Sequence, residues 1–200
     1  MLLHALMSAS RANGPGLRAV IWCQGCSLGC RGCCNPKTHA RLGEEIMPEE
    51  VARQIMECES WHALEGVTFS GGEPMQQASA VLTIIRELRR RSPKLSFGMF
   101  TGYTERELEQ GRFSCLPEAG KPDRFRLWHA IRSLLDFAIM GRYNPAQPAS
   151  GFLCSSRNQV LRLYSDRYSR DDFGPQELEV VIAEDGLVQI TGFPVLGIPA

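Results

Sequence analysis

Leu17-Arg18-Ala19-Val20-Ile21-Trp22-Cys23 runs directly into Gln24-Gly25-Cys26-Ser27-Leu28-Gly29-Cys30-Arg31-Gly32-Cys33-Cys34-Asn35. The first seven residues have the apolar, β-branched and aromatic make-up of a strand, which Gly25 ends. Five cysteines then fall within the twelve residues 23–34. A disulfide framework spreads its cysteines over a small secreted chain, and adjacent Cys33 and Cys34 suit two separate bridges badly. Thiols clustered in this way in a reducing compartment point first to a metal site. Gly25, Gly29 and Gly32 let the chain loop tightly around something bulky.

On either side of this stretch, apolar runs alternate with amphipathic ones. Residues 48–58 have a helical stripe of Val51, Ala52, Ile55 and Met56, with Pro48 suited to a first turn. Residues 66–70 form a short buried strand that stops at Gly71-Gly72. Residues 76–90 carry Ala78, Val81, Leu82, Ile85 and Leu88 on one helical face. A third strand spans 95–101, and Thr104-Glu105-Arg106-Glu107 has the form of a capping box. After a loop over 111–123, a helix is expected at 124–135 and a fourth strand at 136–140, ended by Gly141. Strand–helix alternation of this kind implies a parallel α/β sheet. Residues 144–151 are expected as a loop and 159–164 as a strand. Asp185-Gly186 between two apolar runs signals a hairpin. The expected division is a core domain over 1–165 and a C-terminal β-hairpin extension over 166–200, packed on the same domain.

The 200 residues carry 22 basic and 22 acidic side chains, a net charge of zero, which argues against general nucleic-acid binding. Apolar residues make up 44%, too many for a disordered chain, and no run approaches the roughly 18 residues of a membrane span. Residues 1–7 lack a basic leader, so the expected compartment is the cytoplasm and no membrane partner is expected.

Two ligand sets fit the cysteine run. Cys23, Cys26, Cys30 and Cys33 could close a site around zinc or a cluster; Cys26, Cys30 and Cys33 alone would leave one position open. Zinc ribbons separate their C-x2-C pairs by many residues, and only three lie between the pairs here. The ferredoxin order C-x2-C-x2-C-x3-C also differs. Cys23 lies on the strand pattern, where a small buried hydrophobe suffices. Cys58, Cys115 and Cys154 have no partner at useful spacing and are expected as free thiols.

Cys26-x3-Cys30-x2-Cys33 resembles the signature of radical S-adenosylmethionine (SAM) enzymes. The surrounding Asn13-Gly14-Pro15-Gly16-Leu17-Arg18, Gln24-Gly25-Cys26 and Cys34-Asn35-Pro36 narrow the likeness to activating enzymes of glycyl radical enzymes, of the anaerobic ribonucleotide reductase type. Ser70-Gly71-Gly72-Glu73-Pro74 is similar to that family's SAM-binding segment; Phe100-Thr101-Gly102-Tyr103-Thr104 and Ser155-Ser156-x-Asn158-Gln159 resemble weaker later motifs. The likeness runs in patches from about Gly14 to Gln159. Cys34 stands where an aromatic residue is often found, and the tail after 165 is longer than in the smallest reductase activases.

The resemblance implies a partial (β/α) barrel open on one side, with a [4Fe–4S] cluster held by Cys26, Cys30 and Cys33 and SAM on the fourth iron. It implies Gly32, Cys34, Asn35, Gly71, Gly72, Glu73 and Thr101 around the cofactors, with Glu73 at the methionyl amino group. The expected reaction is reductive cleavage of SAM to a 5′-deoxyadenosyl radical, which takes a hydrogen from a glycine of a partner glycyl radical enzyme. The expected electron source is a low-potential donor such as flavodoxin or ferredoxin. Radical modification of another peptide or small molecule is a second reading, and a noncatalytic zinc or iron–sulfur module a third. His39, Gly102, Asp136 and Gly141 are weaker candidates at loop or strand ends. Gly14-x-Gly16-x-Arg18 is either a turn with a solvated Arg18 or a turn near the cluster mouth.

Overall fold

Four short runs, each followed by a glycine or a tight turn, are the parallel centre of one sheet in the computed structural model, which describes residues 1–115, 123–174, 178–182, 186 and 188–193. The elements in chain order are β1 (Leu3–Ser10), β2 (Arg18–Cys23), α1 (Pro48–His62), β3 (Gly66–Gly71), α2 (Ala78–Arg91), β4 (Ser96–Thr101), α3 (Glu105–Glu109), α4 (Arg124–Arg132) and β5 (Phe137–Met140). Then come β6 (Pro148–Gly151), β7 (Cys154–Ser156), β8 (Val160–Leu163), β9 (Leu178–Ile182) and β10 (Val188–Gly192). The main sheet has six strands in the order β1-β2-β3-β4-β5-β8. Strands β2 to β5 are mutually parallel, while β1 and β8 close the two edges antiparallel.

Side chains alternate across each strand, so the sheet has two buried faces. On one, Ile21, Phe69, Phe97, Met99 and Ala138 pack with Val51 and Ile55 of α1, Val81, Ile85 and Leu88 of α2, and Trp128 and Ile131 of α4. On the other, Phe137, Ile139 and Leu161 meet Leu153, Cys154 and Phe173. Phe137 presses its ring onto Gly98, where an added Cβ would lie 2.1 Å from its Cζ, so glycine is required there. Among the described residues no helix is long and apolar enough to cross a membrane.

The parallel α/β core is as expected, and the differences have physical causes. Helix α1 continues to His62, where Ala63 stops it in a left-handed conformation (φ 47°). Helix α4 ends at Arg132 rather than 135, and a 3₁₀ turn, Pro74–Gln77, precedes α2. Strand β1 is an addition to the expected elements: Leu-His-Ala-Leu-Met-Ser-Ala-Ser has no β-branched residue and is a strand because β2 offers an open edge. Residues 148–151, expected as loop, pair with β7 through Phe152 and Leu153 at φ 54° and 59°, a left-handed turn whose two central residues are not glycine. Strands β9 and β10 pair antiparallel as expected; residues 183–185, residue 187 and part of the 111–123 loop (116–122) lie outside the described residues.

Arg18 departs from both of its readings. It is fully buried at the start of β2, at the opposite end of the strand from the cysteine loop. Its guanidinium donates to Thr68 Oγ1 (2.7 Å), Ser96 Oγ (2.8 Å) and the carbonyls of Pro15 (3.0 Å) and Val67 (3.0 Å), with its carbon 5.1 Å from the Phe137 ring centre. It is a structural pin across β2, β3 and β4. Asp136 stands at that same end, accepting from the Phe97 amide (2.8 Å) and the Ser165 hydroxyl (2.7 Å), so it is not part of a ligand site at the other.

Candidate cofactor site

Strands β2, β3, β4 and β5 all end on one side of the molecule, where parallel sheets gather ligands. Each end is followed by a turn, and the turns are tied together. Cys23 pairs in register with Gly71, and beyond them the Gly72 amide donates to Cys23 O (2.8 Å) and the Glu73 amide to Gly25 O (3.0 Å). An added Cβ on Gly71 would meet Cys23 N at 2.6 Å, and one on Gly72 would meet Gly25 O at 2.4 Å. Both glycines are therefore required by the cysteine loop itself, a reason the sequence reading did not supply. Gly71 also sits at φ 97°, where a side chain is strained.

The loop is latched at several points. The Gly25 amide donates to Thr38 O (2.7 Å) and the Cys26 amide to His39 O (3.1 Å), closing residues 25–39 into a ring. Gln24 Nε2 donates to Lys37 O (3.2 Å) and Ala40 O. Gln76 donates to Ser27 Oγ (2.7 Å) and accepts from the Ser27 amide (3.2 Å), pinning the loop to the turn before α2. Gln24 and Gln76 are positioning residues that sequence reasoning missed as such; each is a buried glutamine, a signal that only burial makes visible.

Around this loop lies a cleft that is open to solvent. Cys26, Cys30, Cys33, Cys34 and Asn35 line it from the loop, and Gly71, Gly72, Glu73 and Thr101 from the strand ends. Gly32 is the one expected site residue off the lining; at φ 68° it turns the loop, with its Cα side toward Pro145 and Tyr143. His39, Gly102 and Gly141 also line the cleft. So do residues that sequence reasoning did not single out: Trp22, Leu28, Tyr143 and Ile190. Asn13, Ser155, Gln159, Thr191 and Phe193 bring the weaker motifs and the hairpin to it.

None of the eight cysteines is in a disulfide. Cys26, Cys30 and Cys33 are part-exposed in the cleft, whereas Cys23 is fully buried, lies off the lining, and has its thiol pushed up to about 12 by burial. Burial also raises Cys26, to about 11. A hydrogen bond from the Cys34 thiol lowers Cys33 and raises Cys34, and the Asn35 amide adds a donor to Cys33 Sγ at 3.4 Å. Among the described residues no three His, Cys, Asp or Glu side chains converge on a point suited to one metal ion. A four-iron cluster is larger than one ion and takes its ligands from wider apart, so three thiols around one cleft suit the cluster.

Glu73 is 1% exposed, not the surface carboxylate of a simple strand-ending turn. Its Oε1 accepts from the Met75 amide (2.9 Å) and Thr101 Oγ1 (2.8 Å), and Oε2 from the Gly102 amide (2.8 Å). Burial nevertheless raises its pKa from 4.5 to about 7. A carboxylate has about four acceptor sites, so Glu73 keeps capacity for a further donor in the cleft. Thr101 acts through Glu73, holding its orientation.

Residues 12–162 match the family model of the 4Fe-4S single cluster domain. The chain is 30% identical over 121 residues to an anaerobic ribonucleoside-triphosphate reductase-activating protein of Vibrio cholerae serotype O1, covering 58% of this chain and 78% of that one. It is 34% identical over 87 residues to a pyruvate formate-lyase-activating enzyme of Clostridium pasteurianum (42% of this chain, 37% of that one). A pyruvate formate-lyase-activating enzyme of Staphylococcus epidermidis is 35% identical over 92 residues, 44% of this chain and 36% of that one. The chain thus spans little more than a third of the two pyruvate formate-lyase-activating enzymes. With three cysteines of the radical SAM spacing around one cleft and a Gly-Gly-Glu segment with a buried Glu73 beside them, the chain belongs to the 4Fe-4S single cluster domain family, as a radical SAM oxidoreductase that uses a [4Fe–4S] cluster and SAM.

Proposed function

We propose that this chain is a glycyl-radical-enzyme activase of the anaerobic ribonucleotide reductase type, working in the cytoplasm on a protein substrate. The observation that carries the reading is the shared cleft, lined by Cys26, Cys30 and Cys33 from the loop and by Gly71, Gly72 and Glu73 from the end of β3. Cys26, Cys30 and Cys33 would hold the cluster, which when bound supplies the electron for reductive cleavage of SAM. Glu73 would take the methionyl ammonium on its remaining acceptor site, and the carbonyls beside Gly71 and Gly72 can accept from the same group. Thr101 and the Gly102 amide keep the carboxylate aimed. Trp22, Phe100 and Ile139 line the cleft and keep bulk water from the reacting groups. The open side of the sheet, read as a partial barrel, would admit the glycine-bearing segment of the partner. A pattern of 30% identity over most of the Vibrio cholerae activating protein supports this partner class.

The test is anaerobic. Reconstituted protein with reductant and SAM is expected to release 5′-deoxyadenosine and methionine in equal amounts. Mixed with an anaerobic ribonucleotide reductase, it is expected to produce the doublet of a protein glycyl radical by electron paramagnetic resonance. SAM cleavage with no radical on any such partner would reject the activase assignment while keeping the cofactor chemistry.

A further inference from the structure

Two of the weaker motifs, Phe100-Thr101-Gly102-Tyr103-Thr104 and Ser155-Ser156-x-Asn158-Gln159, meet at a residue that neither contains, Arg142 in the turn after β5. Asn158 Nδ2 donates to the Arg142 carbonyl (2.7 Å) and Gln159 Nε2 to the Gly141 carbonyl (3.0 Å). Gln159 Oε1 is itself fixed by the amides of Ser155 (2.8 Å) and Ser156 (3.1 Å). On the other side, the Gly141 amide donates to the carbonyls of Thr101 (3.0 Å) and Tyr103 (3.1 Å). The backbone of the 141–142 turn is thus held from both sides, and the arginine reaches over the turn after β4. There its guanidinium meets the Glu107 carboxylate twice, Nη1 to Oε2 at 2.9 Å and Nη2 to Oε1 at 2.8 Å. Nη1 also approaches Gly102 O (3.4 Å), and the guanidinium carbon lies 5.6 Å from the centre of the Tyr103 ring. Glu107 Oε2 accepts from the Thr104 amide and hydroxyl as well, both at 2.8 Å. The turn held in this way is the one whose Thr101 hydroxyl and Gly102 amide bind Glu73. Gly102 has no room for a side chain. An added Cβ would collide with Leu28 of the cysteine loop and lie 3.6 Å from Glu73 Oε2 and 3.8 Å from Arg142 Cγ.

We propose that Arg142, clamped by Glu107, is a positioning residue for SAM binding: it holds the 101–104 turn so that the Thr101 hydroxyl and the Gly102 amide fix the Glu73 carboxylate in the cleft. The inference rests on the proposed role of Glu73 and adds the device that supports it. A bidentate pair fixes direction as well as charge, because a planar guanidinium offers two parallel donors where an ammonium offers a point charge. Arg142 is also a cation whose field favours the charged form of Glu73 against the effect of burial. The thiols of Cys23 on β2 and Cys26 on the loop share the electrostatic surroundings of Glu73, and Glu107, Cys30 and Tyr103 share those of Arg142. Substitution therefore separates two effects. The charge of Arg142 helps to set the pH at which SAM is taken up, and its fork sets how well the carboxylate is aimed.

The experiment uses the full reconstituted chain with its cluster oxidised, so that SAM binds without being cleaved, and reads SAM affinity by anaerobic calorimetry from about pH 6 to about pH 9. Iron content is expected to match the wild type throughout. Arg142→Gln, which loses charge and fork, is expected to bind SAM about tenfold more weakly at about pH 7 and to move the rise in affinity to higher pH, so that most of the loss is regained at about pH 9. Arg142→Lys keeps the charge and loses the fork; it is expected to keep the wild-type pH midpoint and to bind about threefold more weakly at every pH. Glu107→Gln, which opens the clamp and leaves Arg142 in place, is expected to follow the lysine variant. Wild-type affinity and midpoint in Arg142→Gln would overturn the proposal. An equal loss at every pH in that variant, with nothing restored by lysine, would do the same, since it marks general damage. Full affinity in both Arg142→Lys and Glu107→Gln would reduce Arg142 to a bare charge and reject the positioning role. Glu73→Gln separates this inference from the reading beneath it. If Glu73→Gln binds SAM as the wild type does, the role of Glu73 fails; if it binds weakly while Arg142→Gln binds normally, only the role of Arg142 fails.

Discussion

At Glu73 the carboxylate accepts three hydrogen bonds and is at the same time wholly enclosed, and these facts pull its titration in opposite directions. Burial dominates and lifts the pKa to about 7, against 4.5 in the unfolded chain. Between those values the folded chain holds a proton that the unfolded chain has released. The stability tied to this group is therefore full below about pH 4.5 and lost as pH rises through about 7. A cationic amino group beside Glu73 reverses the preference by favouring the charged form. SAM affinity is accordingly expected to rise from about pH 6 to about pH 8 and then level, with proton release on binding near pH 6. Calorimetry in buffers of different ionisation enthalpy checks this, and a flat profile would remove Glu73 from the binding group. The cysteines make a second comparison. Cys26→Ala, Cys30→Ala and Cys33→Ala are each expected to lose the cluster, while Cys23→Ala keeps its iron at a cost of about 1 kcal/mol of stability. Iron and sulfide content of the four variants, prepared together without oxygen, distinguishes the three-thiol site from a four-thiol one.

Among the elements, β4 depends on a residue without a side chain. Gly98 lies beneath Phe137, which is itself enclosed by Tyr168 and Phe173 at ring separations of 6.1 and 5.0 Å. The ring has nowhere to move, so Gly98→Ala is expected to destabilise the fold by about 3 kcal/mol through overpacking. Adding Phe137→Leu should restore part of that loss, because the smaller side chain vacates the collision. Urea unfolding of the single and double variants measures the coupling; additive losses would show that the strain lies elsewhere. The capping box at α3 is a milder case of local chemistry: Thr104 Oγ1 accepts from the Glu107 amide at 3.3 Å while Glu107 caps the Thr104 amide at 2.8 Å. Glu107 also reaches Arg142 at 2.8 Å, which joins α3 to the turn after β5 beside the cleft.

Across the whole molecule, the C-terminal hairpin is held to the core, among the described residues, by polar and aromatic contacts. Asn13 Nδ2 donates to Ser10 Oγ (2.9 Å) and Thr191 Oγ1 (2.7 Å), and its carbonyl accepts from Thr68 Oγ1 (2.8 Å). Glu179 accepts from the Arg11 amide at 3.1 Å, and Phe193 meets Phe100 at 6.0 Å. On the hairpin strands Val180, Ile182, Val188 and Ile190 are more than half exposed. With these side chains exposed, the hairpin belongs to the low end of local stability. Asn13→Ala is expected to speed amide exchange in β9 and β10 about fivefold, a loss of about 1 kcal/mol, with β2–β4 unchanged. Hydrogen exchange read by mass spectrometry checks this, and uniform acceleration would mean that Asn13 supports the core instead.

The spacing of Cys26, Cys30 and Cys33, the Gly-Gly-Glu segment and the strand–helix alternation are local patterns, so the parallel core and much of the cleft lining are legible in the amino-acid order. Thr104 and Glu107 form a legible capping box for the same reason: partners three residues apart need no tertiary context. Other features require it. Strand β1 has no strand-forming composition and exists because β2 has an edge to pair. Arg18 reads as a loop-side charge until the sheet buries it among Thr68, Ser96 and the carbonyls of Pro15 and Val67. Asp136 borders a strand at the wrong side of the sheet for ligand binding. Gly71 and Gly72 are legible as glycines with a purpose, but the purpose, contact with the backbone of Cys23 and Gly25, joins residues nearly fifty positions apart. Local sequence carries propensity and ligand chemistry; which charge is buried, which edge is open and which backbone touches which are settled only when distant segments pack, because burial and close approach are properties of the assembled chain.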